Sequence, residues 1–256
     1  MFCWYGCISE RPKRREVNDI KSRLAQTAGR CGLCLTPEQL DLFAIYYAKL
    51  AENNRQLNLT AITEPNEVIA KHFIDSLLVY DHDSFPDTAR VCDVGCGAGF
   101  PGLPLKICYP GISLTLLDSV AKKLKFLEEV ISLLGLDSVD VCRSRAEDAG
   151  RLPERRESYD IVLARAVAPL NVLCEYCLPL VKPGGLFVAM KARRAMDELA
   201  EAQAAIELLG GKIEQIKQPK LPDQDDVRVN VYLRKIRRTA VRFPRKAGLP
   251  KKKPLL

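Results

Sequence analysis

From Val17 onward the apolar residues recur at helical spacing, and after residue 90 they change to a different rhythm. Thr36-Pro37-Glu38-Gln39 supplies a hydroxyl cap, a proline for the first turn and a glutamine three residues after the cap, which together start a helix. Leu40, Phe43, Ala44, Tyr47 and Leu50 then form its apolar stripe. A further helix is predicted after Pro65, over about residues 68–80.

Beyond residue 90, short β-branched runs alternate with helical segments. Strands are predicted near residues 90–94, 113–118, 138–142, 159–164, 186–190, 212–217 and 229–234, and helices near 101–108, 120–134, 170–180 and 195–209. Strands separated by helices of that length need crossover connections. They imply an α/β fold, a doubly wound, mainly parallel seven-stranded sheet covered on both faces, with an N-terminal helical extension. Residues 1–16 have no usable period and read as a disordered leader or a start codon assigned too early.

A chain of 256 residues with 47% hydrophobic content can bury one large core, with or without a small extension. No stretch approaches the ~18 uninterrupted apolar residues that cross a bilayer, and the first residues run apolar before basic, the reverse of a secretory signal. The expected location is the cytoplasm, without a membrane partner. The cysteines are scattered, and the pairs Cys31/Cys34 and Cys174/Cys177 lie too far apart for a compact zinc ribbon. They read as reduced, packed thiols, and no metal is assigned. The net charge of +7 is uneven: residues 234–256 hold ten Lys or Arg and no Asp or Glu. Taking those ten from the total of 39 leaves 29 basic against 32 acidic residues in 1–233. A basic tail of this kind suggests a polyanionic partner, with solvated disorder as the plainer alternative.

The strongest local signal is Asp93-Val94-Gly95-Cys96-Gly97-Ala98-Gly99-Phe100-Pro101-Gly102, a glycine-rich turn directly after the first strand. Such glycines let the backbone approach a ligand closely. Residues 97–102 also spell GxGxxG, so a dinucleotide competes at this point. Asp93 just before the turn suits a cationic, phosphate-free ligand better than a pyrophosphate. Asp118 ends the second strand, where a carboxylate can accept ribose hydroxyls or cap the next helix. Ala146-Glu147 follows the third strand, where an adenine ring is expected. Lys182-Pro183-Gly184-Gly185, before the fifth strand, is a turn frequent in methyltransferases, and with Asp93 it favours S-adenosylmethionine. The fourth strand ends in Leu163-Ala164-Arg165-Ala166-Val167-Ala168-Pro169, without the Asn/Asp-Pro-Pro-aromatic grip on an exocyclic amine, and the chain has no Pro-Cys nucleophile. The target atom is one that needs neither.

Together these residues resemble the RsmG (GidB) family of bacterial 16S rRNA guanine-N7 methyltransferases. The resemblance runs from about Val17 to the C-terminus. It rests on Asn58-Leu59-Thr60 with Ile62, His72-Phe73-Ile74-Asp75-Ser76, the glycine loop, Thr115 to Ser119 with Lys122-Lys123 and Phe126-Leu127, Arg145-Ala146-Glu147, Arg165-Ala166, and the ending Phe243-Pro244-Arg245-Lys246-Ala247-Gly248 through Lys253-Pro254-Leu255. It implies a class I Rossmann-like methyltransferase. Cofactor contacts are implied at Gly95 and Phe100 in the loop, at Ala146 and Glu147 beside the adenine, and at Arg165 near the methionine end, with Asp118 added on the ribose argument. Arg165 has an alternative reading as a structural ion pair. His72 and Asp75 read either as groups that dock the base or cap the pocket, or as a buried hydrogen-bonded pair.

The implied division is a leader over 1–16, a helical region over 17–85, an S-adenosylmethionine-binding domain over 86–236 and a basic tail over 237–256. The implied partner is 16S rRNA or the small ribosomal subunit rather than DNA, and the chain is expected to be a monomer. Guanine N7 carries no proton, so no catalytic acid or base is named. A small-metabolite methyltransferase and a non-catalytic nucleotide-binding module are the alternatives. A salt series separates the first, because RNA affinity falls steeply with salt, and transfer of isotope from labelled cofactor to rRNA separates the second.

Overall fold

The computed structural model describes residues 14–256, so the leader reading of residues 1–16 lies outside it except for the first turn of a helix that begins at Arg14. Helices α1 (Arg14–Arg30) and α2 (Pro37–Leu57) precede a continuous helical rod made of α3 (Pro65–Val68), a π-helical turn (Ile69–Ile74) and α4 (Asp75–Leu77). The doubly wound part follows as β1 (Arg90–Val94), α5 (Gly102–Cys108), β2 (Ser113–Asp118), α6 (Ala121–Leu134), β3 (Val139–Arg143), α7 (Ala146–Ala149), β4 (Tyr159–Arg165), α8 (Leu170–Cys177), β5 (Val181–Lys191), α9 (Ala195–Leu208), β6 (Gly211–Lys217) and β7 (Val229–Lys235), with a single turn, α10 (Leu249–Lys252), near the end.

The sheet order is β3-β2-β1-β4-β5-β7-β6; β1 to β5 are parallel, and β7 runs antiparallel to both of its neighbours. All seven predicted strands form. The fifth begins earlier than expected, because Val181 already pairs with Tyr159 of β4. The order reverses between β1 and β4, so the connections leaving these two strands diverge to opposite faces and open a crevice at their C-terminal ends.

Alternate strand residues feed two cores. Val91, Leu114, Leu116 and Ile161 face α5, α6 and the N-terminal helices, whose Ile20, Leu24, Phe43 and Phe73 belong to the same cluster. Cys92, Val94, Leu117 and Val162 face α8 and α9. The thiols Cys174 and Cys177 are fully buried in this second core, which accounts for their helical spacing by packing. Among the described residues no group of His, Cys, Asp or Glu could hold a metal ion, and no helix is long and apolar enough to cross a membrane.

The capping box at Thr36 forms as the sequence predicts: Gln39 N donates to Thr36 Oγ1 at 3.2 Å and Thr36 N to Gln39 Oε1 at 2.9 Å. The stripe of α2 differs in that Leu40 is only partly buried and Tyr46 takes the place of Tyr47. Phe43, Ala44, Tyr46 and Leu50 are buried, while Tyr47 is only partly so. The buried face, packed on α1, α5 and α6, runs at i, i+3, i+7 through Phe43, Tyr46 and Leu50, and this selects Tyr46.

The basic C-terminal segment is packed rather than solvated. Phe243 is buried in the second core, although Val241 is exposed. Arg156 Nη2 donates to Thr239 O at 2.7 Å and its Nη1 to Phe243 O at 2.7 Å. Lys235 is buried against Glu157 at 3.4 Å. Arg245 grips Glu175, a fully buried carboxylate, through Nε to Oε1 at 2.8 Å and Nη2 to Oε2 at 2.6 Å. A bidentate pair of this kind aligns two charge-assisted hydrogen bonds.

Removing the cationic half of that pair strands a carboxylate in an apolar core. Arg245→Ala is expected to lower the unfolding free energy by ~3–5 kcal/mol, read by urea denaturation, and Arg245→Met with Glu175→Leu to recover most of the loss. A loss below ~1 kcal/mol for Arg245→Ala would mean that the segment does not brace the fold.

Candidate active site

The glycine loop leaves β1 at Val94 and turns through Gly95, Gly97 and Gly99, all in the left-handed region at φ 72°, 59° and 99°. Gly95 N donates to Leu117 O at 2.8 Å and Cys96 N to the same oxygen at 3.2 Å, which pins the loop to the end of β2. A Cβ on Gly95 would lie 2.6 Å from Val167 Cγ2, so the loop after β4 already occupies the space a side chain would need. At Gly99 a Cβ would meet Tyr46 Oη and Leu103 Cδ1, each at 2.7 Å. The Tyr46 hydroxyl itself donates to Ala98 O and ties the loop to α2.

Asp118 stands at the end of β2, and its carboxylate holds two backbone amides without capping α6, whose N-cap, Val120, supplies no side-chain cap. Its Oδ1 accepts from Val120 N at 2.9 Å, at the entry to α6, and its Oδ2 accepts from Gly97 N at 3.1 Å. It also lines a cleft of about 300 Å³ at the C-terminal ends of the strands, together with Gly95, Lys123, Ala146, Glu147 and Tyr176. Four of the six residues assigned to cofactor contact, Gly95, Asp118, Ala146 and Glu147, therefore share one cleft. Glu147 Oε1 accepts from Gly248 N at 2.8 Å, so the C-terminal segment braces the cleft wall. A slightly larger hollow, about 340 Å³, lies at the opposite end of the same strands beside Arg90, Ser113, Arg155 and Tyr159. It holds none of the expected site residues and sits at the N-terminal ends of the strands, away from the switch point.

Phe100 and Arg165 lie outside the cleft lining, in a polar and aromatic cluster beside it. The Phe100 ring stacks on His72 at 4.6 Å and on Tyr46 at 5.4 Å, and the Arg165 guanidinium lies 5.2 Å from the Phe100 ring centre. Arg165 Nη1 donates to Lys71 O at 3.0 Å and reaches Asp75 Oδ2 at 3.3 Å; Arg228 Nε reaches Asp75 Oδ1 at 3.4 Å. His72 and Asp75 thus meet through Arg165 rather than bonding to each other. Arg165 Nη2 lies 3.4 Å from His72 Nδ1. A guanidinium only donates, so Nδ1 accepts and Nε2 carries the proton, donated to Thr60 Oγ1 at 2.7 Å. Burial, followed by the charge of Arg165, pulls His72 down to about 3, so the ring is neutral at physiological pH. The π-helical turn sets His72 and Asp75 toward β4, a use of such turns common at functional sites. Sequence reasoning missed Tyr46 and Arg228. The i, i+3, i+7 register of α2 signals Tyr46, whereas nothing local to Arg228 does.

One group is left incomplete. Asp93 is fully buried; its Oδ2 accepts from Gly102 N at 2.9 Å, and its Oδ1 is the one buried side-chain polar atom among the described residues without a hydrogen-bond partner. Burial pushes its carboxyl up to about 7, against the pull of the Gly102 amide and Arg165. Asp93 does not itself line the cleft, whose lining begins at the next residue, Val94, but an acidic group buried at that position favours a cationic ligand over a pyrophosphate.

Strand order, glycine loop, acidic strand ends and cleft define the class: a doubly wound, Rossmann-like methyltransferase. Among solved structures the fold is similar to the [4+2]-cyclase SpnF, with a TM-score of 0.52 at 17% identity over 63% of this chain and 79% of that one. It is also similar to TYW2 from P. horikoshii in complex with MeSAdo, with a TM-score of 0.51 at 19% identity over 64% of this chain and 62% of that one. The family model described as rRNA small subunit methyltransferase G (GidB) matches residues 39–226, and the chain belongs to that family. Proteins named ribosomal RNA small subunit methyltransferase G are 51% identical in Lactobacillus johnsonii, covering 90% of this chain and 98% of the relative, and 48% identical in Bacillus subtilis, covering 93% and 98%.

The elevated Asp93 carboxyl makes a pH signature. Folded Asp93 holds its proton to about pH 7, whereas the unfolded group releases it near 3.8. The folded state binds more protons in that window, so burying the charge costs stability as pH rises through it and the cost is constant above it. Asp93→Asn removes the titration: its unfolding free energy relative to wild type is expected to rise between pH 4 and 7, by up to ~1.4 kcal/mol per pH unit, and to level off above. A difference independent of pH would return Asp93 to the ordinary carboxylate range.

Proposed function

We propose that the chain transfers a methyl group from S-adenosylmethionine to N7 of a guanine in 16S rRNA, and that the cleft at the C-terminal ends of β1 to β4 holds the cofactor. The observation that carries the cofactor reading is the cleft at the C-terminal ends of the strands, where Gly95, Asp118, Ala146 and Glu147 converge, with the buried Asp93 carboxyl one residue before its lining at Val94 favouring a cationic ligand. Asp118 retains unused acceptor capacity on both oxygens for ribose hydroxyls. Ala146 and Glu147 receive the adenine, Gly95 keeps the loop close against Val167 in the cleft wall, and Phe100 with Arg165 borders the methionine end. Bound there, S-adenosylmethionine supplies an electrophilic methyl on a sulfonium.

The chain's own part in the reaction is placement. Guanine N7 offers a lone pair without a proton, so no general base is required. The neutral His72 imidazole, hydrogen-bonded at both nitrogens, is consistent with a positioning role. Holding two reacting atoms in line is worth up to ~7–11 kcal/mol. Family membership supports rRNA of the small subunit as the partner, free or assembled, in the cytoplasm and without DNA. The chain acts as a monomer in this reading.

Incubation with methyl-labelled cofactor and 16S rRNA lacking the modification, as free RNA and as small subunits, is expected to label one guanine as 7-methylguanine. Label on another atom, or none on either substrate, would overturn the reading. For the cofactor site, Asp118→Asn is expected to weaken S-adenosylhomocysteine by ~1–3 kcal/mol, the usual range for a hydrogen bond to a charged group, measured by calorimetric titration. Unchanged affinity with a lowered melting temperature would leave Asp118 only its role of holding the Gly97 and Val120 amides.

A further inference from the structure

The ten cations of residues 234–256 divide into two sets. The first has partners within the protein, although Arg237, Arg238 and Arg242 are exposed. Arg234 pairs with Glu214, Lys235 and Arg238 face Glu157, Arg245 holds Glu175, Arg237 donates to Glu207 O, and Arg242 lies over the Phe243 ring. The second set is Lys246, Lys251, Lys252 and Lys253, all exposed and without an ion pair among the described residues.

These four lysines are not on a free tail. Gly248 N is fixed to Glu147 in the cleft wall, Pro250 is buried, and Lys252 N and Lys253 N donate to Gly248 O and Leu249 O at 3.2 and 2.9 Å. The segment that carries them is therefore anchored within a few residues of the cleft. Arg145, exposed and on the cleft lining, adds a fifth cation on the same side, two residues before Glu147. Ammonium groups on flexible stems suit phosphates whose sequence is not read. A fixed backbone beneath them removes much of the ordering cost of a loose tail.

We infer that Lys246, Lys251, Lys252 and Lys253 form a preorganised phosphate-binding edge on the α7 side of the cleft, which seats the RNA backbone next to the bound cofactor. The inference rests on the RNA reading above but assigns the contact to a defined surface. Arg242 and the paired cations of the same segment take no part in it.

The test is a quadruple variant, Lys246→Gln with Lys251→Gln, Lys252→Gln and Lys253→Gln, compared with Lys125→Gln, Lys212→Gln and Lys220→Gln, which alter exposed cations elsewhere. Anisotropy of a labelled 16S rRNA hairpin is followed over a KCl series. The quadruple variant is expected to bind at least about tenfold more weakly at low salt. Its slope against log salt should be flatter by ~0.9 for each duplex phosphate no longer neutralised, or ~0.7 for each single-stranded one. S-adenosylhomocysteine affinity should not change, and the control triple variant should keep the wild-type slope. An unaltered slope in the quadruple variant, or an equal loss in the control, would overturn the edge. Equal affinity of the wild type for poly-glutamate would reassign it to an acidic protein. The two readings fail separately: wild type that binds the hairpin through these lysines without methylating rRNA sinks the function, and wild type that methylates while the quadruple variant keeps its slope sinks the edge.

Discussion

The backbone from Gly95 to Phe100 has left-handed turns at three glycines and no helix or strand of its own, so every neighbouring element has to hold it in place. The end of β2 supplies two anchors, Leu117 O and the Asp118 carboxylate; α2 supplies the Tyr46 hydroxyl; α5 supplies Gly102 N to Asp93; the loop after β4 supplies Val167. These anchors come from four different parts of the chain. The shape of the cleft therefore depends on the whole sheet and on the N-terminal helices packed into its first core, rather than on the glycine motif alone.

The cluster around Arg165 extends this logic to charge. Asp75 lies between two guanidiniums, and burial raises its carboxyl while the two arginines pull it down. Burial in turn lowers Arg165. Breaking any member would leave a charge without its partner in a site that excludes water. The network thus fixes the rod of α3, the π-helical turn and α4 against the end of β4 and the start of β7. Three distant segments meet there, and the aromatic face of Phe100 closes the cluster on the side of the glycine loop.

Much of this is legible in the sequence because its signals are local. Alternating short apolar runs locate all seven strands, the Thr36 box locates the start of α2, and the glycine turn with Asp93 and Asp118 locates the cleft. What escapes depends on contacts made at long range. Tyr46 and Tyr47 are chemically alike, and only the face that α2 turns to α5 and α6 decides which hydroxyl reaches Ala98. Arg228 lies just before β7, an ordinary basic residue until the fold sets it 3.4 Å from Asp75. Phe100 and Arg165 belong to motifs of the right kind, yet their side chains turn into the neighbouring cluster. The basic tail is visible through its charge, which composition reveals. Its packing depends on Glu147, Glu157 and Glu175, residues roughly 70 to 100 positions upstream.

The packed C-terminal segment also bears on the order of synthesis. A chain emerging from its N-terminus presents all seven strands, and the carboxylates of Glu175 and Glu157 with them, before Thr239 and Arg245 have been made. Until then Glu157 has only Lys235 of β7, the buried Glu175 lacks its arginine, and the wall behind Glu147 lacks its brace. Completion of the molecule is thus deferred to its last stretch, and chains cut short before residue 239 lack the interactions that finish the fold.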